Sequence, residues 1–132
     1  MSVQRATPPN QLIAALPAAE RQAFLAGCTP VDLVMASVLY EPGDRIRHAY
    51  FPTESFISML TTVDGDSTLE VGMVGSEGMC GYPLLLGGDT APLRALTQGA
   101  GAAWRMKADT FRACLESMPA LLTEAMLETA AA

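Results

Sequence analysis

The chain of 132 residues has one histidine, three cysteines and few charges, and each shortage closes off a class of chemistry. A Ser/His/Asp triad would have to draw on His48 alone, and neither a GxSxG elbow nor an HExxH pair is present. His48 alternates with Ile46 and Tyr50, where the plain reading is a hydrogen-bonded structural histidine. The chain is therefore not expected to be an enzyme. Cys28, Cys80 and Cys114 lie far apart, with no CxxC or CxxxC spacing, so no disulfide framework, zinc site or iron–sulfur site is indicated. Only 17% of residues are charged, which argues against disorder and against a long solvated coiled coil. Eight basic against fourteen acidic residues leave a net charge of −6, whereas gripping a phosphate backbone needs clustered Lys and Arg. Direct binding to nucleic acid is not expected. Residues 1–10 have no apolar signal core, and no apolar run approaches a membrane span. The expected compartment is a reducing cytoplasm.

What is present is apolar and segmented. Half the residues are hydrophobic, enough for one core without disulfides or metal, so residues 1–132 read as a single domain. Two short helices are expected within 10–27: one capped by Asn10 and carrying Leu12, Ile13 and Leu16, the next from Ala18 to Ala26 with Gly27 at C′. A β-roll is expected over 31–107. Residues 33–39 form a β-leaning run that stops at Glu41-Pro42-Gly43-Asp44. Residues 45–51, 56–63 and 67–74 alternate with period two, the last placing Leu69, Val71 and Met73 on one face. Asp64-Gly65-Asp66 between the last two is a hairpin signal. A Gly-rich loop spans 75–88 and contains Leu84, Leu85 and Leu86, which suit one helical turn. Two strands follow, 92–98 and 102–107. The end, 108–132, reads as helical: Phe111, Cys114, Leu115 and Met118 recur at helical spacing after an N-cap at Asp109, and Pro119 opens a further helix. Helices segregated to both ends of a run of strands give an α+β fold, the antiparallel strands closing into a roll of the jelly-roll or double-stranded β-helix type.

Two constellations bear on function. The stretch from Gly43 through His48 to Glu54 faintly matches the first motif of a metal-binding cupin, but such a site draws several histidines that this chain lacks. The Gly-rich loop is more informative. Backbone N–H groups of Gly78, Gly81 and the Leu84–Leu86 turn suit an anion, and the Arg94 guanidinium can pair with it. Arg94 alternates with Leu96 and is expected to point inward, where it needs an anionic partner. The competing reading is that the glycines only turn the chain while Arg94 pairs with Glu77 or Asp89.

Four segments in order carry a family likeness: LYEPGD (39–44), YFP (50–52), VGMVGSEGM (71–79) and PLRA (92–95). On these the chain resembles the sensor domain of the Crp/Fnr superfamily, the cyclic-nucleotide-binding β-roll, from about Asn10 to about Met126. The resemblance implies that a short helix starting Gly-Glu holds a ribose through the glutamate. It also implies that an arginine following proline holds the cyclic phosphate. Gly81 matches the glycine, but Tyr82 stands where the glutamate belongs. Arg94 and Ala95 match the arginine position, with Leu93 intervening after Pro92. The phosphate half is present and the ribose half is missing, a loss of roughly 1–3 kcal/mol for a cyclic nucleotide. The resemblance further implies a dimerisation helix leading into a winged helix-turn-helix, and this chain is expected to carry the sensor without that output domain. One histidine and no N-terminal cysteine cluster fit neither haem nor cluster sensing.

The reading that follows is a small-molecule-sensing module. Its expected ligand-binding residues are Gly78, Gly81, Tyr82, Leu84, Leu85, Arg94 and Ala95, its effector a cyclic nucleotide or another small anion. A homodimer is expected through Leu121, Leu122, Ala125 and Met126 of the C-terminal helix. The alternative is a degenerate roll that binds no nucleotide and acts as a dimerisation or protein-interaction module.

Overall fold

The structure, a computed structural model, describes residues 9–65 and 67–131, with side chains as far as 127. Helices α1 (Gln11–Ala14) and α2 (Ala18–Ala26) precede seven strands: β1 (Thr29–Leu33), β2 (Val38–Tyr40), β3 (His48–Pro52), β4 (Phe56–Val63), β5 (Ser67–Val74), β6 (Arg94–Gly99) and β7 (Gly101–Lys107). Helices α3 (Ala108–Ser117) and α4 (Pro119–Ala131) follow. All strand pairs are antiparallel, in two sheets ordered β1-β7-β3 and β2-β6-β4-β5. This is the α+β roll expected, flanked by helices at both ends.

The anchor at the start of the roll is Asn10. Its Oδ1 accepts from the backbone N–H of Ile13 at 3.2 Å, the cap expected for α1. Its Nδ2 donates to Pro52 O at 2.9 Å and to Gly78 O at 2.8 Å. One buried amide thus joins the first helix, the end of β3 and the Gly-rich loop. The core continues in three phenylalanines. Phe24 of α2, Phe51 of β3 and Phe111 of α3 lie with centroids 5.1, 6.4 and 5.8 Å apart and are fully buried. In α3, Phe111 and Cys114 line the buried face and Leu115 packs at its margin, following the periodicity, while Met118 is buried as the C-cap just past the helix. Pro119 is the first residue of α4.

Several local expectations change. Residues 33–39 do not form one strand: the chain leaves the first sheet at Leu33, turns through 34–37 and enters the second at Val38. Ser37 holds that turn, its Oγ donating to Val34 O at 2.6 Å, with Ala36 at φ 66°. Of the 45–51 alternation, only residues from His48 onward lie in a strand, and Arg45 makes an isolated bridge to Thr90. Ala49 and Phe51 are buried as well as Tyr50, because one face of β3 packs under α2 and α3 while the other meets the second sheet. Leu69, Val71 and Met73 do not face a core. β5 is a sheet edge, and these three side chains stay half-exposed. Asp64 and Gly65 take the positive φ of a tight hairpin (49° and 80°), while Asp66 lies outside the described residues. Gly27 is the C-cap of α2 rather than C′ and is right-handed there (φ −89°). A Cβ would meet Thr110 Cγ2 at 3.1 Å, so close packing explains this glycine. Asp109 is not the cap of α3: the N-cap is Lys107, and Asp109 sits in the first turn, paired with Arg112 at 3.0 Å.

Burial leaves the thiols inert. It pushes Cys80 up to about 12, and Cys28 likewise, with Cys114 adding to the shift at Cys28; Cys114 is raised by burial alone. At pH 8 about one Cys80 in ten thousand is thiolate. Ellman's reagent should therefore label the folded protein far more slowly than the guanidinium-unfolded chain, and rapid stoichiometric labelling of the native state would refute this burial. A second prediction concerns Asn10. Asn10→Asp replaces two donors by acceptors facing carbonyls, at a cost of about 3 kcal/mol. The melting temperature should fall by roughly 10 °C, whereas a change of only a degree or two would show that the amide does not hold these elements.

Candidate functional site

Tyr82–Leu86 form a 3-10 turn, the single helical turn expected within the Gly-rich loop. Gly81 precedes it in the left-handed region (φ 115°), and Gly87 closes it the same way (φ 84°). Leu84 is buried under the turn, while Tyr82 and Leu85 are half-buried. Gly78 lies further back in the loop, where its N–H donates to Gly75 O at 3.3 Å and its carbonyl accepts from Asn10. Glu77 serves the loop itself, accepting from Gly75 N at 3.0 Å.

Arg94 opens β6, and here the inward expectation is corrected. The register pairs Arg94 with Leu60 and Leu96 with Ser58, whereas Ala95 pairs with Met59 and Thr97 with Ile57. Residues directly opposite share a face. The buried face carries Ala95, Thr97, Ile57 and Met59, so Arg94 and Leu96 point the other way. The reason is steric. Tyr40 of β2 sits opposite Ala95, and both are buried, which leaves that face to the aromatic ring and a methyl group. Arg94 Nε donates to Glu41 Oε1 at 2.7 Å, with side-chain exposures of 39% and 48%. Its partner is thus neither Glu77 nor Asp89; Asp89 pairs with Arg45 at 3.3 Å.

Tyr40 and Glu41 therefore hold the two halves of the expected cradle. The Tyr40 hydroxyl donates to His48 O and lies 3.5 Å from Cys80 O. It also lies 3.2 Å from where a Cβ on Gly81 would project. This side chain fills the space beside Gly81, its ring 6.1 Å from that of Tyr50. Burial raises the Tyr40 phenol far above its ordinary value of 10.0, so it remains a neutral donor. The following residue, Glu41, occupies the Arg94 fork. Its position is fixed by the EPGD turn: Glu41 N donates to Asp44 Oδ2 at 2.9 Å, Asp44 N to Glu41 O at 3.0 Å, and Gly43 has φ 89°.

The sequence singles out Gly81 and Arg94 as site residues but not Tyr40 and Glu41, which enter there only as part of the LYEPGD segment and its turn. The one available signal was an acidic residue leading a turn that has to return beside β6. The structure brings Gly81, Tyr82, Leu84 and Leu85 together in one turn, places Arg94 and Ala95 on opposite faces of β6, and ties Gly78 to Asn10. The 3-10 turn also packs against both α3 and α4, so a change in the loop bears directly on the C-terminal helices.

No protein-family model and no curated protein matches the chain. Solved structures do. The N-terminal domain of a transcriptional regulator from Streptomyces coelicolor superposes with a TM-score of 0.70 at 18% identity, covering 91% of this chain and 84% of that one. The Thermus thermophilus catabolite activator protein gives 0.75 at 14% identity over 91% of this chain, which spans 56% of that protein. The regulatory domain of Toxoplasma gondii PKA, crystallised with cAMP, gives 0.68 at 19% identity over 78% of this chain and 39% of that one. These neighbours are regulatory proteins rather than enzymes. The chain thus has the β-roll fold of the cyclic-nucleotide-binding domains found in Crp/Fnr-type regulators and in PKA regulatory domains.

Proposed function

We propose that the chain is the effector-sensing domain of a Crp/Fnr-type transcriptional regulator and that it takes a small anionic effector at Arg94. The observation that carries this is the Arg94–Glu41 pair: a half-exposed guanidinium at the head of β6, held at 2.7 Å by a carboxylate from the turn that follows the neighbouring strand. Exposed pairs of this kind are worth about 0–1 kcal/mol, so an incoming anion can replace Glu41 at little cost. A phosphate can pair bidentately with a guanidinium and carries more charge than the carboxylate. Ala95, buried on the opposite face of β6, takes no part, and the packing of the 3-10 turn after Gly81 on α3 and α4 is the route by which occupancy reaches the C-terminal helices. The effector must bind two arrangements of those helices unequally for a signal to result.

A homodimer through α4 is part of the proposal, with its face revised. Leu121 and Ala125 are fully buried within the chain, while Leu122 and Met126 are 41% and 44% exposed, beside the exposed Leu127. Leu122 and Met126 remain as interface residues. The reading of the chain as an interaction module also has an observation in its favour: Tyr40 already fills the space beside Gly81, and Tyr82 supplies no carboxylate for a ribose.

Calorimetry with cAMP, cGMP and cyclic di-GMP separates the two readings. Binding of one of them, lost in Arg94→Ala and strengthened up to about fivefold in Glu41→Gln, is the expected result. No heat and no thermal shift with any of the three would remove the nucleotide version and leave the interaction module. For the dimer, Leu122→Asp combined with Met126→Asp should convert the wild-type dimer to a monomer in light scattering. A wild-type chain that is already monomeric at high micromolar concentration would end that part of the proposal.

A further inference from the structure

Half of the eight Lys and Arg residues, Arg45, Arg47, Arg105 and Lys107, lie at or beside two hollows whose linings include neither Gly81 nor Arg94. The register sets His48 opposite Lys107 and Tyr50 opposite Arg105, so His48, Tyr50, Arg105 and Lys107 share one face of the β3–β7 pair, and Arg45 and Arg47 lie in the segment that leads into β3. Two adjoining hollows open along this face, of about 380 and 370 Å³. The first is lined by Arg45, Arg47 and His48 with Tyr40, and the second by Arg105 with Val31 and Leu33; Leu39 and Tyr50 belong to both. Asp44 and Asp32 are the acidic residues at their margins. Asp44 is engaged by Glu41 N, and Asp89 pairs with Arg45. Among the described residues, Arg47, Arg105 and Lys107 form no ion pair.

This arrangement works against folding. Like charges on neighbouring positions of one sheet face repel, and among the described residues no carboxylate pairs with these three cations. An arrangement that costs stability and lines a hollow has the character of a binding site. We propose that the groove between Leu39, Tyr50 and the Arg47–His48–Arg105–Lys107 cluster is a second anion site, one that takes an aromatic or nucleoside phosphate monoester. The dianion suits two guanidinium forks flanked by an ammonium and an imidazole. Tyr40, Tyr50 and Leu39 give the organic part a flat apolar wall. The site shares neither Gly81 nor Arg94 with the proposed effector site, so either can exist without the other.

His48 is the chain's only histidine, and its imidazole reports on the groove without ambiguity. Burial, then Arg105, Lys107 and Arg47, hold it below its ordinary value of 6.5 in the free protein. The remaining groups facing it are Tyr50, Asp44 and Arg45. A bound dianion offsets the neighbouring positive charge and favours the protonated ring, so its titration midpoint moves up. The probe is phenyl phosphate, with phenol as the uncharged control, followed by proton NMR of the His48 Hε1 signal in the full chain. A saturable shift with phenyl phosphate and none with phenol is expected, together with the upward midpoint. Arg94→Ala should bind as the wild type does, whereas Arg105→Gln and Lys107→Gln should each weaken binding by about threefold to tenfold. Lys107 is exposed, so its variant should melt as the wild type does and keeps the test independent of folding. No saturable shift, an equal response to phenol, or binding unaffected in both charge variants would overturn the site. Loss in Arg94→Ala alone would assign the phosphate to the effector site instead and overturn it equally.

Discussion

The fold depends on a single buried amide. Asn10 spends its oxygen on the first turn of α1 and both its N–H groups on carbonyls of Pro52 and Gly78. No other side chain type of that size supplies one acceptor and two donors at once. Because its partners come from 42 and 68 residues away, the amide closes the long-range geometry of the roll as well as capping a helix. The Gly-rich loop is thereby tied at Gly78 while its far end, from Gly81 onward, is shaped by Tyr40. The loop is a span between two fixed points, and its 3-10 turn rests on the C-terminal helices.

The candidate effector site is held by the chain's own side chains. Consecutive residues, Tyr40 and Glu41, occupy the space beside Gly81 and the fork of Arg94 respectively. Their energetic standing differs. Tyr40 is buried and hydrogen-bonded to backbone, so moving it would strand carbonyls and open a cavity. Glu41 is half-exposed and paired with a charge that solvent also serves. An anion can therefore compete for Arg94 far more easily than a nucleoside can enter beside Gly81. That asymmetry is why a small effector suits this site and why the Tyr82 position, lacking a carboxylate, costs it little.

Where the sequence was legible, a repeating pattern met a uniform environment. The spacing of Phe111, Cys114, Leu115 and Met118 marks α3 because one face of that helix meets one core. Asn10 and Pro119 mark helix starts because their backbone chemistry is local. The strands were harder. The alternation at 67–74 is interrupted in the sheet: Val71 is skipped in the register, Leu69 pairs with Thr61 and Met73 with Ser58 on the opposite face of β4, and at a sheet edge all three apolar residues stay half in solvent. The run at 33–39 is apolar except for Ser37, and a single serine among β-leaning residues does not announce the change of sheet made there. Arg94 illustrates the limit for sites. Its partner was decided by which strand lies beside β6, and that pairing brings Glu41 close while Glu77, nearer in sequence, is consumed by its own loop. The proposed cationic groove was invisible for the same reason, since Arg105 and Lys107 come beside Tyr50 and His48 only once β3 and β7 pair.

The edge strand β5 carries a consequence for how copies of this chain behave together. Its outer hydrogen-bonding groups lie beside half-exposed Leu69, Val71 and Met73, a surface on which another strand can align. Two things oppose that alignment. The register shift between Met59 and Leu60 bends the strand away from the flat geometry that stacking needs. The net charge of −6 keeps copies apart over a distance set by the Debye length. The second barrier is made of salt-sensitive repulsion and the first is not. The colloidal stability of the domain thus rests on shape at high ionic strength and on charge at low ionic strength.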